Sequence, residues 1–156
     1  MVLKEFKLRF DRARLLQDAK EQKGYDVFID PLNGNPIEGW FIKHIHSGYG
    51  KYICEEICQR FNIDKGKPRF YKQDVTTSVG MHTDRGTLCS FNVLLTGQDD
   101  PIVFESGKIH YNCALINVSI PHSVPLVKST RYLYKVSVFD KTFEELADVL
   151  PNTIQV

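Results

Sequence analysis

The stretch RYLYKVSVF, residues 131–139, alternates without a break. Tyr132, Tyr134, Val136 and Val138 fall on one face of an extended chain and Leu133, Lys135, Ser137 and Phe139 on the other, because successive side chains of a strand point to opposite sides. Shorter runs of the same kind precede it at 69–75, 88–95, 102–105, 108–112 and 114–118. Turn chemistry separates them: TGQDDP (96–101), SGK (106–108) and the proline-flanked 121–125. A helix over 142–150 follows, opened by the capping-box pair Thr142 and Glu145 and stopped before Pro151. Six short strands within about 70 residues, closed by a helix, predict a β-sandwich or barrel of jelly-roll type.

Upstream the periodicity changes. Residues 11–22 carry Ala13, Leu15, Leu16 and Ala19 at helical spacing, with Gly24 as a stop. Strands are expected at 25–29 and 40–45 around the turn PLNGNP (31–36). A second helix over 49–61 shows one apolar stripe of Ile53, Cys54, Ile57, Cys58 and Phe61. The expectation is a mainly β domain with packing helices, its N-terminal helices lying on the outer face of one sheet. It divides into a helix-and-strand part at 1–66, a jelly-roll core at 67–140 and the C-terminal helix at 141–150.

The bulk properties exclude several function classes. The 156 residues are 42% hydrophobic and 25% charged, an ordinary globular composition and enough chain for one core. Twenty basic against nineteen acidic residues leave a net charge of +1, which gives no electrostatic footprint for nucleic acid or an anionic membrane. No apolar run approaches a membrane span, and the first residues, MVLKEFKLRFDRARLL, do not read as a signal peptide. A cytoplasmic location is therefore expected. The four cysteines form no CxxC pair and read as buried thiols.

Chemistry concentrates in GMHTDRGTLCSFNVLL, residues 80–95. His82 and Asp84 flank one residue, so on a strand an imidazole and a carboxylate face the same way. That pair alone could be a metal site or a structural hydrogen bond. His122, in NVSIPHSVP (117–125), is the natural third ligand, since in a jelly roll an early and a late strand can lie opposite each other at the mouth. Two histidines and one carboxylate leave three coordination positions open, the arrangement of non-haem Fe(II) oxygenases. Arg131 then opens the strand after His122, where a guanidinium could pair with a carboxylate inside the barrel.

This H-x-D … H … R pattern, over 71–139, resembles the 2-oxoglutarate/Fe(II)-dependent dioxygenase superfamily. It is most similar to its small prolyl-hydroxylase-like and aspartyl/asparaginyl-hydroxylase-like branches, which include versions from bacteria and phages. HTDRG and NVSIPHSV look most like the latter branch. The resemblance implies a double-stranded β-helix in which His82, Asp84 and His122 bind Fe(II). It implies that Arg131 binds the far carboxylate of 2-oxoglutarate, with Tyr71 on the same carboxylate and Asn92 at the co-substrate's other end. Dioxygen is then consumed, 2-oxoglutarate becomes succinate, and a C–H bond of a free or peptidyl amino-acid side chain is hydroxylated, with no protein acid or base required.

Around that centre, Arg85 is a candidate for an anionic substrate group and His110 for a substrate contact at the mouth. Gly86 reads as a tight turn and Trp40 as core or cleft rim. His44 and His46 have no third ligand near them in sequence and read as a strand end. Asp99 and Asp100 are adjacent and point apart, which suits a turn. Two other classes fit the same residues: a cupin-like metal protein that does not use 2-oxoglutarate, and a non-catalytic jelly-roll binding module.

Overall fold

The computed structural model describes residues 1–97 and 100–156. The chain begins with β1 (Leu3–Glu5), β2 (Lys7–Arg9), α1 (Arg12–Lys20), β3 (Asp26–Ile29), β4 (Pro36–His44) and α2 (Gly48–Arg60). It continues through β5 (Gly66–Gln73), β6 (Val79–His82), β7 (Cys89–Leu94), β8 (Ile102–Phe104), β9 (Gly107–Ile109) and β10 (Cys113–Ile116). Last come β11 (His122–Val124), β12 (Arg131–Val138), α3 (Phe143–Val149) and β13 (Thr153–Gln155). The turn expected at 96–101 includes residues 98 and 99, which lie outside the described residues.

β12 is the middle strand of a seven-stranded antiparallel sheet ordered β1-β10-β7-β12-β5-β4-β3. A four-stranded sheet, β6-β11-β8-β9, faces it. These two sheets make the expected jelly roll, and the alternation of β12 feeds two cores. Tyr132, Tyr134, Val136 and Val138 pack outward with Leu15 and Ala19 of α1, Ile53 and Ile57 of α2, and Phe143 and Leu146 of α3. Leu133 points inward to Trp40, Tyr71, Leu94, Phe104, Tyr111 and Ile116 between the sheets. Helices therefore cover the outer face of the larger sheet, as expected, and the inner face is left for the site.

The part of the chain before residue 66 contributes strands as well as helices. β1, β3 and β4 all belong to the larger sheet, so the first part of the chain extends the jelly roll rather than merely packing on it. Three-residue strands such as β1, β2 and β13 carry too little alternation to be read in sequence; long-range pairing decides them, β13 running parallel to β2. The capping box forms as read: Thr142 Oγ1 accepts from the Glu145 N–H at 3.1 Å, and Glu145 Oε1 accepts from the Thr142 N–H at 3.3 Å. Among the described residues, no helix is long and apolar enough to cross a membrane.

Cys54, Cys89 and Cys113 are buried, as expected of inert thiols, while Cys58 is half-buried. Burial, with three nearby carboxylates, pushes the Cys89 thiol up to about 12. The Cys54 and Cys58 sulfurs are 3.8 Å apart on α2.

α2 is tied to β12 by the Tyr134 hydroxyl, which donates to the Gly50 carbonyl at 2.6 Å. Ile53, one turn further on, is fully buried. Ile53→Ala is expected to cost about 2–5 kcal/mol of folding stability through lost burial and the cavity left behind. Urea unfolding would read this as a lower midpoint at unchanged slope.

Candidate metal centre

β6 and β11 are hydrogen-bonded neighbours, and His82 and His122 are cross-strand partners in their register. Their rings lie 4.4 Å apart between centroids. The two histidines thus meet side by side on one sheet, not across the mouth from opposite strands as the sequence suggested. β6 ends at His82, so Asp84 sits just beyond the strand. Its N–H donates to the Val118 carbonyl at 2.9 Å, which returns its side chain to the face His82 occupies.

The donor atoms converge. Asp84 Oδ1 is 3.4 Å from His82 Nε2 and 3.2 Å from His122 Nε2. The other ring nitrogens are engaged with backbone: His82 Nδ1 is 2.7 Å from the Gly80 carbonyl and His122 Nδ1 is 2.9 Å from that of Ile120. A carbonyl only accepts, so each Nδ1 carries the proton and donates. In the neutral rings both Nε2 lone pairs therefore point at a carboxylate oxygen. Three lone-pair donors within 4.8 Å of one another repel unless a cation sits among them. Backbone-anchored histidines of this tautomer are how metal-ligating imidazoles are held, and the two-His-one-carboxylate set fits a divalent metal such as Fe(II).

Lys135, on the same face of β12 as Leu133, completes this cluster. Its ammonium donates to Asp84 Oδ2 at 2.5 Å. Burial works to raise the Asp84 pKa, but the Lys135 charge and the hydrogen bonds from His122, His82 and Lys135 outweigh it. The two rings add to this only when protonated, and the carboxyl is held well below the usual carboxylate range. Burial works against the Lys135 ammonium too, and the neighbouring carboxylate more than offsets it, leaving its pKa above that of an ordinary lysine. The signal was present in the alternation: Lys135 shares the inward face with Arg131, and a buried cation demands a partner.

The cluster opens into a cavity of about 570 Å³ between the sheets, a size suited to a small ligand. Of the residues expected at the site, His82, Asp84, His122, Tyr71, Asn92, Arg131 and Arg85 line it. Arg85 is exposed at the lip. Trp40 is both core and wall, its ring 5.9 Å from that of Tyr71.

Asn92 accepts from Ser90 Oγ at 2.7 Å and donates to the Tyr111 hydroxyl at 3.2 Å, so its amide is largely engaged. His110 is not brought to the site. It is exposed just after the edge strand β9, and the next residue, Tyr111, points into the cavity instead. The strand expected over 108–112 stops at Ile109, so its alternation does not carry through to these two residues. His44 ends β4 and stacks on His46 at 6.4 Å; both are exposed and away from the cavity.

Arg131 is 4% exposed. Its Nη1 donates to Gln73 Oε1 at 3.2 Å, and its Nε has no partner. Gln73 is itself fixed by donating to the Thr77 and Pro125 carbonyls. Every ion pair among the described residues ends on Asp84, so no carboxylate among them neutralises Arg131. Arg69 also lines the cavity, hydrogen-bonded to Ser137 Oγ.

Three solved structures superpose over most of the chain. One is a prolyl hydroxylase from Trichoplax adhaerens in complex with a hypoxia inducible factor oxygen degradation domain peptide fragment. It matches at TM-score 0.70 and 16% identity, over 96% of this chain and 86% of its own. A Pseudomonas putida prolyl-4-hydroxylase matches at 0.65 and 14%, over 89% and 91%. A viral collagen prolyl hydroxylase from Paramecium Bursaria Chlorella virus-1, in complex with 2-oxoglutarate, matches at 0.62 and 10%, over 88% and 95%. The chain has the prolyl-hydroxylase fold. No protein-family model matches the sequence and no curated protein does, so the likeness to the prolyl-hydroxylase fold is one of structure at low identity.

Proposed function

We propose that the protein is a 2-oxoglutarate- and Fe(II)-dependent dioxygenase that hydroxylates an aliphatic C–H bond of an amino-acid side chain, free or peptidyl. The observation that carries this reading is the buried guanidinium of Arg131. A charge taken out of water without a counter-ion is costly, and this one opens into the cavity that holds the His82–Asp84–His122 cluster. A dicarboxylate co-substrate satisfies both features, one end on the metal and the other on Arg131. The cavity wall as a whole carries Arg69, Arg85, Arg131 and Lys135 against Asp30 and Asp84, which favours an anionic guest.

His82, Asp84 and His122 would hold the iron, which when bound supplies the activation of dioxygen. Arg131, set by Gln73, orients the co-substrate's far carboxylate, with Tyr71 on the same carboxylate and Asn92 at the co-substrate's other end. The walls of Trp40, Leu133 and Val118 limit water at the reacting carbon. In the balanced reaction, 2-oxoglutarate, dioxygen and a C–H bond give succinate, carbon dioxide and a C–OH group. The peptidyl alternative draws support from the peptide bound by the Trichoplax neighbour and from the exposed apolar residues Leu32 and Met81 at the lip.

The test is turnover of labelled 2-oxoglutarate by Fe(II)-loaded protein. Succinate and carbon dioxide should appear only when both metal and dioxygen are supplied. Metal-loaded protein that consumes no 2-oxoglutarate, with or without an added mixture of peptides and amino acids, would reject the proposal.

A further inference from the structure

Lys135 reaches Asp84 from the other sheet. On β12 it lies in register between Arg69 of β5 and Asn92 of β7, and its ammonium passes over the Tyr71 ring at 5.4 Å. It is 9% exposed, and Asp84 is its counter-ion. The two carboxylate oxygens of Asp84 are consequently divided. Oδ1 faces both histidine Nε2 atoms, and Oδ2 is taken by Lys135.

We propose that Lys135 is a positioning residue of the metal centre, which holds Asp84 as a one-oxygen ligand and thereby keeps three metal positions open. This rests on the reading of His82, Asp84 and His122 as metal ligands. A free aspartate can close on a divalent ion through both oxygens, which would fill a fourth position. A bidentate keto acid together with dioxygen needs three. The hydrogen bond to Oδ2 competes with that closure. The lysine charge also sets a lower metal affinity than the bare triad would have, since a second cation stands one carboxylate away from the ion. Lys135 thus trades strength of metal binding for open coordination.

Co(II) is a suitable probe because its visible bands respond to coordination number independently of turnover. Wild type, Lys135→Met, Lys135→Arg and His82→Ala would be titrated with Co(II), with affinity read by calorimetry and coordination by absorption. Lys135→Met, which removes a positive charge one carboxylate away from the ion, is expected to bind Co(II) tighter, by about 10-fold, and to show altered bands. Lys135→Arg, which keeps charge and donor, is expected to return both toward wild type. A role confined to packing predicts the opposite for Lys135→Met: weaker binding with wild-type bands. Unchanged bands in Lys135→Met, whatever the affinity, would overturn the proposal. If thermal melting shows that variant unfolded, Lys135→Leu, which likewise has neither charge nor donor, carries the same test with the same outcomes. Wild-type Co(II) binding that is indifferent to His82→Ala would instead bring down the metal-centre reading itself.

Discussion

Asp84→Ala is expected to weaken Mn(II) binding by more than about 100-fold, beyond what loss of a group outside the ligand set typically costs. Three effects combine. The only charged ligand is lost, two neutral imidazoles remain, and the Lys135 ammonium is left facing the metal position with no carboxylate between them. The same substitution strips Lys135 of its counter-ion in a buried setting, so the metal-free protein should also lose ~3 kcal/mol of stability. Adding Lys135→Met should restore much of that stability without restoring the metal site, which separates the two consequences. Calorimetric titration with Mn(II), paired with chemical denaturation, measures both. Wild-type Mn(II) affinity in Asp84→Ala would end the assignment of the triad.

Arg131→Ala is expected to raise the Kd for 2-oxoglutarate, measured on the Mn(II)-loaded protein, by at least about 30-fold, the lower end of what truncating a buried hydrogen-bonded charge pair costs. The metal affinity should stay near wild type, because Arg131 makes no contact with His82, Asp84 or His122 among its hydrogen bonds. That split distinguishes the dioxygenase from its rivals. A cupin-like metal protein would bind metal and be indifferent to Arg131, with no 2-oxoglutarate affinity to lose. A binding module without chemistry would bind neither in a way that depends on these residues. Arg131→Lys is a poor rescue, since an ammonium cannot reproduce the planar two-point grip of a guanidinium on a carboxylate.

Legibility in the sequence followed the strength of the local pattern. The unbroken alternation at 131–139 located the central strand to within one residue of its observed end at Val138. The helices at 12–20, 48–60 and 143–149 fall within about two residues of the stretches read as helical, and the capping box of the last one forms. His82, Asp84 and His122 were readable because residue type and spacing together specify metal chemistry. What the sequence hid depends on pairing partners. That His82 and His122 would be register neighbours is set by how β6 meets β11, which no local signal reports. Whether His110 or Tyr111 faces inward is decided beyond β9, which stops at Ile109, so the alternation read over 108–112 does not reach them. Lys135 was visible as an inward lysine, but its partner lay on a different sheet.

β12 is buried on both faces along its whole length, and Arg131 and Lys135 both stand on it. Long cationic side chains carry about 2 kcal/mol of rotamer freedom each, which a ligand must normally remove on binding. Here the fold has already frozen that freedom, with Gln73 holding one head and Asp84 the other. An anionic guest therefore meets a rigid receptor and keeps more of its interaction energy as affinity. By contrast, the tip of the β3–β4 hairpin around Leu32 and the turn at Arg85 and Gly86 stand exposed. Under the proposed function, the buried strand would meet the co-substrate and the exposed rim the group to be oxidised.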